Sequence, residues 1–364
     1  MFLTTAAGTE NSLSASGAAV KEEIGNVDGT VFSKCDLTLN GLGTLTVSSG
    51  QGHGIVCKED LRVTGGSLSV SAAKHGLSGQ DSVRIAGGMV DIASGTDGIH
   101  AEKENDESEG WVLVQDGSLT ISAGDDGIHA ETTLTITDGS VSVTRSYEGL
   151  EGKQVLISGG VISVVAADDG INASGGSDSS GGWGGGHGGS VVEDALIDIS
   201  GGEITVSCSG DGVDSNGNLS MSGGTLYISG PTRAGEVPID YSGIGVISGG
   251  IVIATGTGSK MLQAFDAGST QAVTLSMFAG QNAGDRISIV NAAGTELASF
   301  TPDQSYALVI FSHPDLKAGD SVTLKCGSNT TALTVGTTDS TGYTNSNGWG
   351  NGWGNGGKNN KHGW

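Results

Sequence analysis

Residues 81–102 read DSVRIAGGMVDIASGTDGIHAE, and variants of this 22-residue stretch recur along most of the chain. Each copy is centred on a Gly-Gly or Asp-Gly pair. Between Gly66 and Gly250, the second glycines of successive pairs are 22, 29, 22, 21, 42, 22 and 26 residues apart, and the longer intervals contain insertions. A recurring period of this length is typical of repeat architectures, in which each unit packs against its neighbours.

Each copy contains two short runs of alternating apolar residues. In the quoted copy, Val83 and Ile85 precede the glycine pair, and Val90 and Ile92 follow it. Alternation with a period of two, bounded by glycine, predicts half-buried strands. Stacking such strands about 4.8 Å apart makes a continuous core from a few aliphatic residues per copy. The pattern therefore predicts an all-β fold, a parallel β-helix with about 22 residues per coil.

A second glycine marks a corner in each copy. Gly98 lies ten residues after Gly88 and is followed by the apolar Ile99. The same offset recurs in six consecutive copies, at Gly76, Gly98, Gly127, Gly149, Gly170 and Gly212. We interpret these corner glycines as tight turns with positive φ, each followed by an inward-facing residue on a third strand.

The repeat ends near Gln271, which divides the chain into three parts. Residues 1–270 are predicted to form the β-helix, and residues 271–335, with separate alternating strands, a small β-module that covers its open edge. Residues 336–364 are rich in Gly, Asn and Trp and are predicted to be disordered. Because no apolar run reaches about 18 residues, no transmembrane segment is predicted.

The charge of the chain restricts its partners. Forty acidic side chains against 16 basic ones give a net charge of −24. Nucleic-acid phosphates would be repelled by such a chain, which argues against DNA or RNA as a partner. The same charge suits the binding of divalent cations and solubility outside the cell.

Acidic residues gather at the predicted corners, directly before the corner glycine or a few residues after it. In stacked coils they would form columns of carboxylates about 5 Å apart, and their repulsion would raise the pKa of each carboxyl. Hard cations with oxygen ligands relieve such repulsion. We therefore predict Ca²⁺ sites that bridge successive coils, with ligands drawn from Asp97, Asp125, Asp126, Glu148, Glu151, Asp168, Asp169, Asp211 and Asp214.

The corner sequences are also compatible with two other interpretations. A sequence such as Asp125-Asp126-Gly127 also forms turns without any ion, but its repetition in stacked copies favours calcium. His100 and His129 occupy equivalent positions, which would suit a transition metal. No third nitrogen or sulfur ligand is evident beside them, so calcium remains the prediction.

One lysine raises a catalytic alternative. Lys153 follows the corner of its own copy and is flanked by carboxylate pairs in the neighbouring copies. A lysine with a lowered pKa beside calcium can abstract the proton α to a uronate carboxylate. Nearby anions raise a lysine pKa instead, so a surface lysine that neutralises carboxylates is favoured. No other catalytic residue is predicted.

Several motifs carry a resemblance to a known family. They are the Asp-Asp-Gly-Ile corners at 125–128 and 168–171, Phe32-Ser33-Lys34, and the run 210–241, which includes GDGVDSNG (210–217) and SGGTLYISGPT (222–232). Together they resemble the clostridial surface carbohydrate-binding β-helix family, whose fold is similar to that of family 9 pectate lyases.

The resemblance implies a right-handed β-helix that contains calcium, lies outside the cell or on its surface, and binds pectin, polygalacturonate or cellulose without catalysis. The family's calcium corners map onto Asp125, Asp126, Asp168, Asp169, Asp211 and Asp214. A pectate lyase that uses Lys153 and a structural or adhesive surface solenoid remain alternatives. Neutral cellulose would need an aromatic platform, for which the candidates are Tyr147, Tyr227, Tyr241 and Trp183.

Overall fold

The protein is all-β, as the sequence predicts. The computed structural model describes residues 1–17, 20–22, 25–103, 106–174, 191–258, 262–266 and 268–339. Within these ranges the regular structure consists of strands, and no helix is long and apolar enough to cross a membrane. Trp183 and residues 340–364 of the predicted tail lie outside the described residues.

The strands of the described residues follow one another in chain order. They are β1 (Phe2–Thr5), β2 (Glu10–Ala15), β3 (Val20–Glu22), β4 (Gly25–Val27), β5 (Gly29–Ser33), β6 (Leu37–Gly41), β7 (Thr44–Ser49), β8 (His53–Cys57), β9 (Asp60–Ala72), β10 (Leu77–Gly79), β11 (Ser82–Ser94), β12 (Ile99–Ala101), β13 (Trp111–Ser122), β14 (Ile128–Ile136), β15 (Ser140–Ser146), β16 (Leu150–Ile157), β17 (Val161–Ala166), β18 (Ile171–Ala173), β19 (Leu196–Ile199), β20 (Glu203–Cys208), β21 (Val213–Ser215), β22 (Asn218–Met221), β23 (Thr225–Ser229), β24 (Ile239–Tyr241), β25 (Gly245–Ile247), β26 (Ile251–Gly256), β27 (Val273–Gln281), β28 (Ile287–Asn291), β29 (Glu296–Phe300), β30 (Tyr306–Ser312), β31 (Ser321–Cys326), β32 (Asn329–Thr334) and β33 (Thr338–Asp339).

Three parallel ladders organise the repeat region. The corner ladder pairs β5, β8, β10, β12, β14, β16, β18, β21 and β24 in that order. The second ladder pairs β1, β6, β9, β11, β13, β14, β16, β19, β22 and β25. The third ladder pairs β2, β7, β9, β11, β13, β15, β17, β20, β23 and β26.

The register follows the repeat of the sequence. In the corner ladder, Leu77 pairs with Ile55 on one side and with Ile99 on the other, a step of 22 residues in each direction. In the second ladder, one paired series of aliphatic residues is at most 1% exposed: Leu61, Val83, Val112, Leu134, Val155, Ile197 and Leu219. Burying such a side chain contributes about 1.5–3 kcal/mol. Aliphatic residues of all three ladders form one continuous core.

Two classes of glycine serve this stacking for different reasons. Gly88 and Gly117, from the central pairs, have φ values of 95° and 98°, which side-chain-bearing residues rarely adopt. The predicted positive φ at the corner glycines is wrong. A Cβ atom on Gly98 would lie 2.4 Å from Ile121 Cγ2 and 2.6 Å from the carbonyl oxygen of Gly127, so this corner needs glycine because successive strands approach closely.

The C-terminal strands pair differently. β30 is antiparallel to β26, the last strand of the third ladder, and to β27, which also pairs in parallel with β33. A four-stranded antiparallel sheet follows the order β29-β28-β31-β32. Its apolar residues form a second core together with residues of β30 and with Ile253 of β26.

Candidate metal centre

The corner ladder positions two columns of polar side chains along its length. We call the residues directly before each corner the corner column: His53, His75, Asp97, Asp126, Glu148, Asp169 and Asp211. The strand column lies three residues further on, where parallel pairing joins Ser78, His100, His129, Glu151, Asn172, Asp214 and Asp240 in succession. Corner and strand residues of the same coil therefore lie side by side.

Four imidazole rings stack in the N-terminal half of these columns. The ring centroids are 4.7 Å apart between His53 and His75, 4.2 Å between His75 and His100, and 5.0 Å between His100 and His129. This histidine stack crosses from the corner column to the strand column between His75 and His100. Burial and the neighbouring His75 lower the pKa of His53 to about 4.

Asp97 lies between two members of the histidine stack. Its Oδ2 atom is 2.9 Å from Nδ1 of His75 and 2.7 Å from Nδ1 of His100. Glu102 Oε2 lies 3.2 Å from the other ring nitrogen of His100. Burial opposes ionisation, but these partners raise the pKa of His100 and hold the pKa of Asp97 well below its usual range.

A buried cluster of one histidine and two carboxyls joins two successive copies of the repeat. His129 Nδ1 lies 2.7 Å from Glu151 Oε2 and 3.4 Å from Asp126 Oδ2. All three residues are more than nine-tenths buried. Burial raises the pKa of Asp126, whereas the hydrogen bond to His129 lowers the pKa of Glu151 against the effect of burial.

The C-terminal half of the columns offers oxygen atoms without histidine. We call it the oxygen-only half, and its residues are Glu148, Asp169, Asn172, Asp211, Asp214 and Asp240. Asp211, Asp214 and Asp240 each place one carboxylate oxygen within 4.8 Å of the others. The backbone N–H of Asp211 also donates to Asp169 Oδ1 at 2.6 Å. Burial, followed by repulsion from Asp169, raises the pKa of Asp211 to about 10.

An amide side chain lies within this oxygen-only half. Asn172 Nδ2 donates a hydrogen bond of 2.6 Å to Glu148 Oε2. Asn172 is 6% exposed, and its buried Oδ1 atom has no hydrogen-bond partner among the described residues. Burial and repulsion from Glu151 raise the pKa of Glu148 to about 8. An unpartnered amide oxygen among carboxylates whose pKa is raised fits a hard cation with oxygen ligands, such as Ca²⁺.

The nine predicted ligands do not all meet. Three clusters of three residues contain five of the predicted ligands: Asp211 and Asp214 are in one cluster, Asp126 and Glu151 in another, and Asp97 in the third. Glu148 and Asp169 contact other members of the columns. Asp168 pairs instead with the guanidinium of Arg233, which also donates to the carbonyl of Ala167 at 2.7 Å. Neither Asp125 nor Asp168 belongs to a three-residue cluster of the described residues.

The sequence did not reveal Asp240 as a ligand candidate. Its corner holds Pro238 where the preceding coils have glycine: the N–H groups of Gly212 and Val213 donate to the carbonyls of Val237 and Pro238. A search for glycine therefore misses this coil. Asp240 follows Pro238 by two residues, just as Asp214 follows the corner glycine Gly212 by two residues. This fixed offset would have identified Asp240.

Lys153 lies in a separate groove. A cavity of about 420 Å³ is lined by residues that include Lys103, Glu131, Lys153, Gln154 and Asp194. None of the nine predicted acidic ligands lines it. The half-buried Lys153 is thus placed beside Glu131 and Gln154, apart from the two columns.

Comparison with known proteins identifies the class of the chain. The model of a family described as "Carbohydrate-binding domain-containing protein" matches residues 1–185, and the chain belongs to that family. Those residues contain the histidine stack and reach Asn172 in the oxygen-only half. No curated protein and no solved structure matches the chain.

Proposed function

We propose that this protein is a calcium-containing, extracellular or cell-surface module that binds plant cell-wall polysaccharide without cleaving it. The three parallel ladders would wind as a right-handed parallel β-helix that presents the acidic columns along one side. Polygalacturonate and related pectins are the favoured ligands, with cellulose as the alternative. Membership of a carbohydrate-binding family supports the general role.

The observation that carries the calcium proposal is the buried Asn172 Oδ1 without a partner among the described residues. Glu148, whose carboxylate is held by Asn172, and the cluster of Asp211, Asp214 and Asp240 supply further oxygen atoms. Residues of this oxygen-only half would hold the ion. Bound Ca²⁺ neutralises the acids and lets a polyanionic glycan approach a chain of net charge −24.

The aromatic candidates favour an acidic ligand over cellulose. Tyr227 stacks on Phe300 with ring centroids 5.1 Å apart, and Tyr241 is 8% exposed. Tyr147 is 40% exposed and stands beside Asp168, which raises the pKa of its hydroxyl to about 12. A single exposed tyrosine among these three is a poor platform for a flat neutral chain, whereas the acids suit a uronate polymer through calcium.

Retention of the protein on calcium-pectate gel and on insoluble cellulose, with and without EDTA, tests this proposal. We expect retention on pectate that EDTA abolishes, with no unsaturated uronide detected by ultraviolet absorbance. The double variant D211N/D214N should lose retention, whereas D91N, a change at an exposed aspartate of β11, should keep it. Retention that persists in EDTA would refute the calcium proposal, and no retention on any glycan would favour a surface structural or adhesive protein.

A pectate lyase that uses Lys153 is the second candidate function. The observation that favours it is the groove of about 420 Å³ in which the half-buried Lys153 lies beside Gln154. This function requires unsaturated uronide to form from polygalacturonate and its formation to cease in K153A. Incubation at alkaline pH without any rise in absorbance would exclude it.

A further inference from the structure

The N-terminal half of the columns offers a different set of ligands from the half proposed for calcium. One ring nitrogen of His75, one ring nitrogen of His100 and one carboxylate oxygen of Asp97 all lie within 4.8 Å of one another. We infer that these three residues bind a transition-metal ion of the Zn²⁺ class. This inference does not rest on the proposed polysaccharide function.

The chemistry of the donors selects the metal. Zn²⁺ binds imidazole nitrogen at about 2.0–2.1 Å and carboxylate oxygen at about 2.0–2.2 Å, so its ligands lie within about 4.3 Å of one another. The planes of the two stacked rings differ by only 17°, so one ring must rotate about its χ angles for both nitrogens to face one ion. Calcium prefers oxygen ligands, and two imidazoles therefore favour zinc over calcium here.

The outer nitrogens support the same assignment. Metal-bound histidines usually donate their other ring N–H to a carboxylate, which fixes the tautomer. Nε2 of His100 lies 3.2 Å from Glu102 Oε2, while its Nδ1 faces Asp97. His53 repeats this arrangement, because its Nε2 lies 3.3 Å from Asp28 Oδ2 and its buried Nδ1 has no hydrogen-bond partner among the described residues. His53 stacks on His75 but does not belong to the three-residue cluster.

A route from solvent reaches these donors. His53, His75, His100, Asp28 and Glu102 all line one cavity of about 270 Å³. The side chain of His75 is 21% exposed, whereas those of Asp97 and His100 are 6% and 9% exposed. An ion can therefore enter beside His75 and reach the two buried ligands.

Metal titration of the full-length protein, first stripped with chelator, tests the inference. We expect calorimetry with Zn²⁺ in excess Ca²⁺ to detect a saturable site. H75Q and H100Q should each weaken the affinity at least tenfold. H313Q is the matched control, because His313 is a buried histidine outside the histidine stack, and it should leave the affinity within twofold of the original chain. Co²⁺ should give visible absorption bands of nitrogen ligation that H75Q removes.

Two results would overturn the inference. One is the absence of saturable Zn²⁺ binding, which leaves a hydrogen-bonded histidine–carboxylate network only. The other is unchanged affinity in H75Q, which places the ion elsewhere in the chain. H75Q is the decisive variant because His75 is the most accessible of the three ligands. A thermal unfolding transition of H75Q in chelator verifies that this variant folds. H75Q should retain calcium-dependent binding to pectate, so failure of this site is distinguishable from failure of the proposed function.

Discussion

The two halves of the polar columns share a backbone and differ in chemistry. In the N-terminal half, imidazoles alternate with acids, and His75 and His100 both contact Asp97. In the C-terminal half, Asp211 and its neighbours have oxygen atoms alone, and burial with mutual repulsion raises the pKa of Asp211 to about 10. One ladder therefore presents a cluster with imidazole nitrogens and a cluster with oxygen atoms alone through substitutions at equivalent positions, without any change of fold.

Calcium should distinguish the two halves with the largest effect. A ligand at 100 times its dissociation constant stabilises the folded state by about 2.7 kcal/mol. We expect Ca²⁺ to raise the thermal midpoint of the original chain and of H75Q, and to have little effect on D211N/D214N. Differential scanning calorimetry measures this. An equal response of D211N/D214N and the original chain would show that Asp211 and Asp214 do not bind the ion.

A corner glycine at the junction of the halves provides a second test. A Cβ atom on Gly127 would lie 2.4 Å from the carbonyl oxygen of Gly149 and 2.7 Å from Val143 Cγ1. Overpacking of this kind costs about 1–3 kcal/mol, so G127A should lower the free energy of unfolding by this amount in a urea titration. G50A is the control, because its Cβ would lie 3.7 Å from the nearest atoms. Equal stability of G127A and G50A would contradict the importance of close approach between coils.

The pH dependence of stability should separate the metal-free and calcium-bound states. Burial raises the pKa of Glu148 to about 8, so between its ordinary value of 4.5 and pH 8 the folded chain binds more protons than the unfolded chain. Stability in EDTA should therefore fall as pH rises from 5 to 8. The raised pKa of His100 acts in the same direction, whereas the lowered pKa of His53 acts in the opposite direction below about pH 6.5. Because calcium binds ionised acids, its presence should weaken or reverse this slope, and identical thermal midpoints with and without calcium across this range would contradict the expectation.

The smallest effect concerns Arg233, which pairs with Asp168 beside the oxygen-only half. Its side chain is 47% exposed, and exposed ion pairs contribute about 0–1 kcal/mol. R233Q should therefore change the free energy of unfolding by no more than this. Calorimetry should show somewhat tighter calcium binding if Asp168, once released, joins the site. R286Q is the matched control, because it also removes one positive charge from an exposed ion pair, the pair with Glu296, but at a residue outside the polar columns.

Periodicity explains how much of this arrangement could be predicted. Aliphatic residues at fixed offsets predicted the strands, and the corner glycines predicted which acids would lie in columns. Local sequence could not reveal the reason for the corner glycines, because the atoms near Gly98 belong to Ile121 and Gly127 of the next coil. The same limitation hid the contacts of Asp97, a predicted ligand, with His75 and His100, because His75 belongs to the preceding copy of the repeat.

The regular spacing of the corner ladder also makes the oxygen-only half a short, rigid polyelectrolyte. Unit charges about 4.8 Å apart in water repel one another by about 0.9 kcal/mol, which exceeds the thermal energy RT of about 0.6 kcal/mol. Parallel pairing from Asn172 through Asp214 to Asp240 prevents the acids from moving apart. When these acids are ionised, they concentrate cations along the face, and this local enrichment declines with ionic strength over a Debye length of about 10 Å at 0.1 M salt.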